Sequence, residues 1–305
     1  MIYSPSQSKT FLECSTKRML NQEGWTERVV GIRDWAAWIG QGVHAGLAYK
    51  YQPALTSKVW APGEKDIVQV GQDEFTKHYD HAIKSGRIIP GHLFYVGEAE
   101  AHIERCLEYA MNNDPLPTGF EVERVEQSLG DYNCILDVVG KHNGKPTFID
   151  WKVKSRCKLD YLDQELEKYR YDWKEARHYP WALSEVTGQR VEEYTVVIFV
   201  LGPQFRVVKR TYPVNWKVVE RWAQGCMGPK LTGELDGLWD TMTYEEPWQS
   251  NACHPAMGFP CEYLDACWTY DLDREKMRTG GLVQVQRMDK QIVAGSQQTE
   301  QGGVL

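Results

Sequence analysis

The sequence predicts a single α/β domain built on a mixed central sheet flanked by helices. Three observations lead there. Successive runs of β character, FEVERVEQ, NCILDVVG and PTFIDWKV, begin at Phe120. A further run, 193–201 (EYTVVIFVL), is apolar on both alternations, the pattern of a central strand covered on both faces. Amphipathic helical stretches stand before and after the first three runs, at 98–111 (EAEAHIERCLEYAM) and from about 161 to 185.

From the start of the chain, residues 1–51 read as helical. Ser4 or Ser6 can cap a helix carrying Phe11, Leu12 and Met19, and 35–51 form a second, apolar-rich helix. Residues 52–92, rich in Pro, Gly and Lys with weak periodicity, read as loops plus a short helix. The helix at 98–111 is closed by the breaker run Asn112-Asn113-Asp114-Pro115. After the β runs, apolar residues at 162, 166, 169, 173, 176, 180 and 183 mark a long helix that Pro180 should kink. A last strand covers 206–212. The stretch to about 270 is Trp- and Gly-rich without a period, and 271–305 reads as a loose, flexible tail with few large side chains to bury.

Composition narrows the function. With 305 residues, 42% hydrophobic and 25% charged, the chain has ordinary globular usage rather than that of a disordered one. No apolar run reaches the ~20 residues of a membrane helix, and the start, MIYSPSQSKTFLEC, lacks the apolar stretch of a secretory signal. A cytoplasmic protein without a membrane partner is the expectation. The net charge of −7 argues against a coating-type nucleic-acid binder and leaves a local basic groove open. No G-x-x-x-x-G-K-[ST] occurs, so nothing resembles an NTP-driven motor. Eight cysteines suggest thiols or metal ligands before disulfides.

The sharpest signal is CILDVVGKHNGKPTFIDWK. Asn143-Gly144 between β runs favours a two-residue type I′ turn. That loop pairs Asp137 directly with Asp150, at a non-hydrogen-bonded position where side chains sit closest. Lys152 follows on the same face, while Leu136, Val138, Ile149 and Trp151 make the opposite face the core side. Opposed carboxylates repel unless neutralised, and a hard divalent cation would do so. An ammonium beside it could hold an attacking water. The other reading is a solvated strand face with Lys152 bridging the two aspartates. Basic residues continue past the hairpin: Lys154, Arg156 and Lys158 follow Lys152 without an acid between, and Arg170, Lys174 and Arg177 run along one side of the following helix. They read either as a phosphate track or as a solvated face.

Asp137 followed by Asp150-x-Lys152 resembles the core of the PD-(D/E)XK nuclease superfamily, with Ile-Leu-Asp at the first aspartate. His44, in the helical GQGVHAGLAYKY, is similar to the histidine ligand of the RecB-like exonuclease branch. Glu126 on the FEVERVEQSLG strand resembles the upstream acidic position, with Glu123 as its rival. Tyr179 in HYPWAL resembles the tyrosine of the family's Gln-x-x-x-Tyr helix, although Glu175 stands where Gln would. Cys253, Cys261 and Cys267 cluster in a Gly- and Pro-bearing loop (NACHPAMGFPCEYLDACW), and Cys14 looks like their fourth partner. One cysteine before the core and three after it resembles the iron–sulfur RecB-like nucleases, among them CRISPR-adaptation exonucleases and AddAB-type nuclease domains. Four thiolates suit a [4Fe–4S] cluster and also Zn²⁺.

The resemblance implies a restriction-endonuclease-like fold over 1–270, with its N- and C-terminal ends joined at the Cys₄ cluster. An N-terminal helical part (1–51), a catalytic core (120–212) and a cluster-binding part (213–270) divide it. It implies Mg²⁺- or Mn²⁺-dependent hydrolysis of DNA, exonucleolytic on single-stranded ends, in recombination, repair or phage DNA metabolism. His44, Asp137 and Asp150 would hold metal, with Asp137, Asp150, Lys152, Glu126 and Tyr179 catalytic. Lys154, Arg156, Arg170, Lys174 and Arg177 would contact DNA. A separate helicase or recombinase is an expected partner, in a bacterial or phage-infected cytoplasm. A nicking endonuclease and an idle iron–sulfur DNA-binding module are the alternatives.

Overall fold

The computed structural model describes residues 20–21, 23–52, 64–89, 93–132, 134–154, 166–167, 169–170, 175–202, 204–226 and 273–285. Chain order runs β1 (Trp25–Glu27), α1 (Ile32–Tyr51), α2 (Glu64–Lys84), α3 (Leu93–Asn113), β2 (Phe120–Ser128), β3 (Ile135–His142), β4 (Lys145–Lys154), α4 (Glu175–Thr187), β5 (Glu193–Val200), β6 (Arg206–Pro213), α5 (Trp216–Cys226), α6 (Arg274–Thr279) and β7 (Leu282–Gln284). The mixed α/β architecture read from the sequence is the one found. Five strands lie in the order β2-β3-β4-β5-β6, antiparallel except for the central β4–β5 pair. That parallel pair needs a crossover, and α4 lies within it. No described helix is long and apolar enough to cross a membrane.

The hairpin forms as its turn chemistry dictates. Asn143 and Gly144 take φ values of +52° and +78°, and His142 pairs with Lys145. Pro146 is tolerated in this central strand because it sits opposite Lys141 at a non-hydrogen-bonded position, one residue before the β5 ladder begins at Thr147.

Both faces of the sheet are packed. Val138, Ile149, Trp151, Val197 and Phe199 bury against α1, α2 and α3 through Val43, Leu47, Ile67, Phe75, Ile103 and Leu107. On the other face Val139, Phe148, Val196 and Ile198 bury against Leu166, Tyr169, Ala182 and Leu183. The aspartate face of the hairpin is therefore a second core side, because α4 covers it. Leu136 belongs to this second cluster rather than with Val138 and Trp151, since the chain turns out of regular alternation at Asp137.

Two expectations fail on elements that the sequence hides. Residues 52–92 hold a helix of 21 residues, α2, rather than a short one. Its buried stripe is spelled by Ile67, Gly71 and Phe75, and a glycine in that stripe carries no apolar signal. Instead of a loose tail throughout 271–305, α6 and β7 are ordered structure. Asp273 caps α6 by accepting the Glu275 and Lys276 N–H groups, and Met277 and Leu282 are buried. β7 pairs antiparallel with β1, Trp25 opposite Gln284, and the Arg278 guanidinium lies 5.8 Å from the centre of the Trp25 ring. Of the long helix expected over 161–185, α4 supplies the second part with Pro180 inside it.

Backbone meets backbone where α1 crosses α2. A Cβ on Gly42 would come within 2.6 Å of the Gly71 carbonyl oxygen, and one on Gly71 within 2.9 Å of the Gly42 oxygen. Gly42→Ala is expected to destabilise the protein by about 2 kcal/mol, the cost of forcing packed elements apart. Gly97→Ala, on an exposed stretch of α3 with nothing within 4 Å, should stabilise by about 0.5–1 kcal/mol through helix propensity. Urea melts of the two variants give the comparison.

His178 on α4 is fully buried among Tyr179, Trp181 and Trp222. Its Nε2–H donates to the Tyr132 carbonyl at 2.8 Å, and Nδ1 has no partner among the described residues. Burial pushes its pKa down to about 4 from the ordinary 6.5. The unfolded chain therefore takes a proton that the fold refuses between those values. Stability contributed by neutral His178 is complete above pH 6.5 and is lost as pH falls to about 4, a loss of about 3 kcal/mol. Gln can keep a donor for Tyr132 without titrating, so His178→Gln should flatten this part of the stability–pH curve.

Candidate metal centre

The site is built on one row of the sheet. Val125 pairs with Val138 and Gln127 with Leu136, so Glu126 on β2 stands across from Asp137 on β3. Val138 pairs with Ile149, and the next step in that register sets Asp137 across from Asp150 on β4. Three carboxylates thus occupy one row over three adjacent strands, and the paired ladders on both sides of Asp137 lapse there. Glu126 takes a left-handed φ of +47°, which costs a non-glycine residue roughly 1–2 kcal/mol. Asp137 Oδ2 accepts the Trp151 backbone N–H at 2.7 Å, taking a donor that an unbroken ladder would present to main chain.

Helix α1 delivers the fourth group. His44 follows the buried Val43 and faces the sheet, with Nδ1 3.3 Å from Asp137 Oδ1. One ligand atom from each of His44, Glu126 and Asp137 lies within 4.8 Å of the others. Burial opposes charge on His44, but the Asp137 carboxylate, with help from Glu126, outweighs it and raises the imidazole pKa. Burial likewise pushes Asp137 upward, and here His44, Lys152 and the Trp151 N–H prevail, holding the carboxyl below its usual range.

Asp150 takes a different environment. It is 3% exposed, and Lys152 Nζ lies 2.6 Å from its Oδ2. Burial, reinforced by the neighbouring Asp137 charge, pushes its pKa up to about 7 despite the Lys152 ammonium. Lys152 itself is raised, since Asp150 and Asp137 outweigh the desolvation that opposes its charge. Tyr179 projects from α4 onto the Phe148 ring at 5.8 Å, where burial and the Asp150 and Asp137 charges raise its hydroxyl pKa.

The residues singled out in the sequence divide into three groups. His44, Glu126 and Asp137 come close enough together that they could hold a metal ion, whereas the sequence reading gave Glu126 a catalytic role and Asp150 the third ligand place. Asp150, Lys152 and Tyr179 stand beside that set, while Lys154, Arg170 and Arg177 are described farther along β4 and the helices. Arg156, Lys174, Cys14, Cys253, Cys261 and Cys267 lie outside the described residues. Two features carried no sequence signal. The Trp151 amide that fixes Asp137 is main chain, and the row joining Glu126 to Asp137 depends on a β2–β3 register that no tight turn announces.

A donor set of one imidazole and two carboxylates suits Mn²⁺, and Mg²⁺ where the oxygens dominate. Saturating Mn²⁺ at about 100 times its Kd should stabilise the fold by about 2.7 kcal/mol. His44→Ala and Asp137→Ala should lose most of that shift, while Lys152→Met, which removes an ammonium and no ligand, should keep it. Thermal melts with and without Mn²⁺ make the measurement.

No family model and no curated protein matches the chain. Among solved structures, one titled "Crystal structure of SSO0001" is 13% identical, with a match covering 65% of this chain and 74% of that one at a TM-score of 0.22. A likeness that low carries no argument here, and the site stands on its own geometry.

Proposed function

We propose that the chain is a metal-dependent DNA nuclease that hydrolyses phosphodiester bonds at single-stranded ends. The observation that carries this reading is the convergence of His44, Glu126 and Asp137 beside the buried Asp150–Lys152 pair. These residues fit a divalent cation because the acidic row sets like charges opposite one another, and a cation would add to the offset that His44 and Lys152 provide. Mg²⁺ or Mn²⁺ would be held by His44, Glu126 and Asp137, with Asp150 as a further carboxylate of the same row, and would supply Lewis-acid stabilisation of a phosphate oxygen.

The chain's own groups do the rest. Lys152, pinned by Asp150, keeps its proton and can orient a water toward a phosphorus while offsetting charge that develops on the phosphate. Tyr179 keeps its hydroxyl proton and can donate to a substrate oxygen. Lys154, at the end of β4, extends positive charge away from the row, and Arg170 and Arg177 add to it on the helical side.

A [4Fe–4S] cluster on Cys14, Cys253, Cys261 and Cys267 belongs to the same reading, with Zn²⁺ as the other occupant of such a site. Its basis is the cysteine pattern of the sequence, since all four cysteines lie outside the described residues. Accessible ends, or a separate helicase or recombinase that makes them, complete the proposal, in a bacterial or phage-infected cytoplasm.

With Mn²⁺, linear single-stranded DNA should be degraded while a covalently closed single-stranded circle survives. Asp137→Ala and Lys152→Met should each lower the rate at least a hundredfold with the fold retained. Rapid nicking of the circle would favour the endonuclease reading, and no cleavage of either substrate would reject the nuclease.

Anaerobic purification should yield a brown protein with about four irons per chain whose visible absorbance bleaches in air. Stoichiometric zinc in a colourless sample would reassign the cysteines.

A further inference from the structure

The two edges of the central sheet carry opposite charge. Edge strand β2 bears Glu121, Glu123 and Glu126 against one Arg124, whereas edge strand β6 bears Arg206, Lys209 and Arg210 and no acid. The site row begins at the acidic edge and stops at β4, so its continuation toward β6 decides where a polyanion can lie.

Register sorts the basic residues of β6 by face. Lys154 pairs with Val200, which pairs with Arg206, and Asp150 pairs with Val196, which pairs with Arg210. Residues in one row share a face, so Arg206 and Arg210 stand on the face of Asp150, Lys152 and Lys154. Val196, Ile198 and Val200, the β5 members of that face, belong to the second core cluster, as this sorting requires. Lys209 falls on the opposite face, where its Nζ donates to the Leu116 carbonyl at 3.2 Å.

Arg206 is placed for an anion. It is half-buried at the first residue of β6, in a row with the last residues of β4 and β5. Its Nε is enclosed by protein and has no hydrogen-bond acceptor among the described residues. Ligands of sheets with parallel strands gather outside the carboxyl ends of those strands, and the carboxyl ends of the parallel pair β4 and β5 lie here. Two strand spacings separate Lys154 from Arg206, about 10 Å, which a single nucleic-acid backbone spans with neighbouring phosphates.

We infer that Arg206 is a phosphate-binding residue that receives a DNA strand running from the Asp137–Asp150 row past Lys154, across the carboxyl ends of β4 and β5, to the β6 edge. The inference rests on the nuclease reading and adds a direction to it: the strand leaves toward β6, not toward the acidic β2.

The test measures binding of a short fluorescent single strand to the full chain, with Ca²⁺ in place of Mn²⁺, over a range of salt. Arg206→Ala should weaken binding about tenfold and reduce the magnitude of the salt slope by about 0.7, the share of one phosphate contact on a single strand. Arg206→Lys should restore most of the slope, and Lys209→Ala, on the other face, should leave it unchanged. In cleavage assays Arg206→Ala should raise KM with kcat retained. Melting temperatures accompany each variant, and should Arg206→Ala not fold, Arg206→Gln is judged by the same criteria. A folded variant with the wild-type slope and affinity overturns the assignment. Wild-type protein that neither binds nor cleaves the strand overturns the nuclease reading as well, a result distinct from the first.

Discussion

The rest of the structure depends on how closely α1 lies against α2. Gly42 and Gly71 let the two backbones approach at a distance that no side chain permits. That approach fixes the rotation of α1, and the rotation decides which residues meet the sheet. Val43 and Leu47 go into the core, and His44, between them in sequence, is left at the flank where it reaches Asp137. At the far end of the same helix Tyr51 donates to Asp114, just beyond α3, and packs edge-on against Trp151 at 5.6 Å. Trp151 is also the residue whose amide holds Asp137. Helix and sheet are thus registered against each other at two points, His44 with Asp137 and Tyr51 with Trp151.

The site itself is held at the expense of regular structure. Regular pairing would take the Trp151 N–H into the β3–β4 ladder, yet the β2–β3 and β3–β4 ladders lapse at Asp137 and its carboxylate accepts that donor instead. Left-handed backbone at Glu126 and a carboxylate enclosed at Asp150 both oppose folding. Two well-packed faces outweigh them. Phe148 and Tyr194 stack at 5.4 Å on one side, and Trp35 and Phe75 at 5.6 Å in the helical layer on the other. Strain of this kind persists where the surrounding packing over-determines it.

Much of this was legible in the sequence because it is local. The Asn143-Gly144 turn fixes its own register, and the register alone sets Asp137 across from Asp150. The double alternation of β5 announced a covered central strand. What was not legible is what depends on neighbours distant in sequence. Leu136 alternates with Val138 on paper but packs on the other face, because the chain turns at Asp137 to meet a histidine on another element. Helix α2 was underestimated because its contact residue at 71 is a glycine, whose value lies in the side chain it lacks. By contrast, the pairing of Lys152 with Asp150, 2.6 Å apart, follows from their sharing one face of β4, as the alternation of the strand predicts.

The short pairing of β1 with β7 gives the polypeptide an unusual order of assembly. Arg28 donates to the carbonyl of Arg278, 250 residues away, and Gln284 reaches back to Glu23 across 261. Closing so long a loop costs entropy that a three-residue strand pair cannot repay by itself. The closure becomes favourable only after the intervening sheet and helices have already drawn the two stretches near one another, which makes it a late event in folding. Trp25, Met277 and Leu282 are the described apolar side chains buried at this pairing. During synthesis, residues 25–27 must therefore wait for residues 282–284 before their β partner exists.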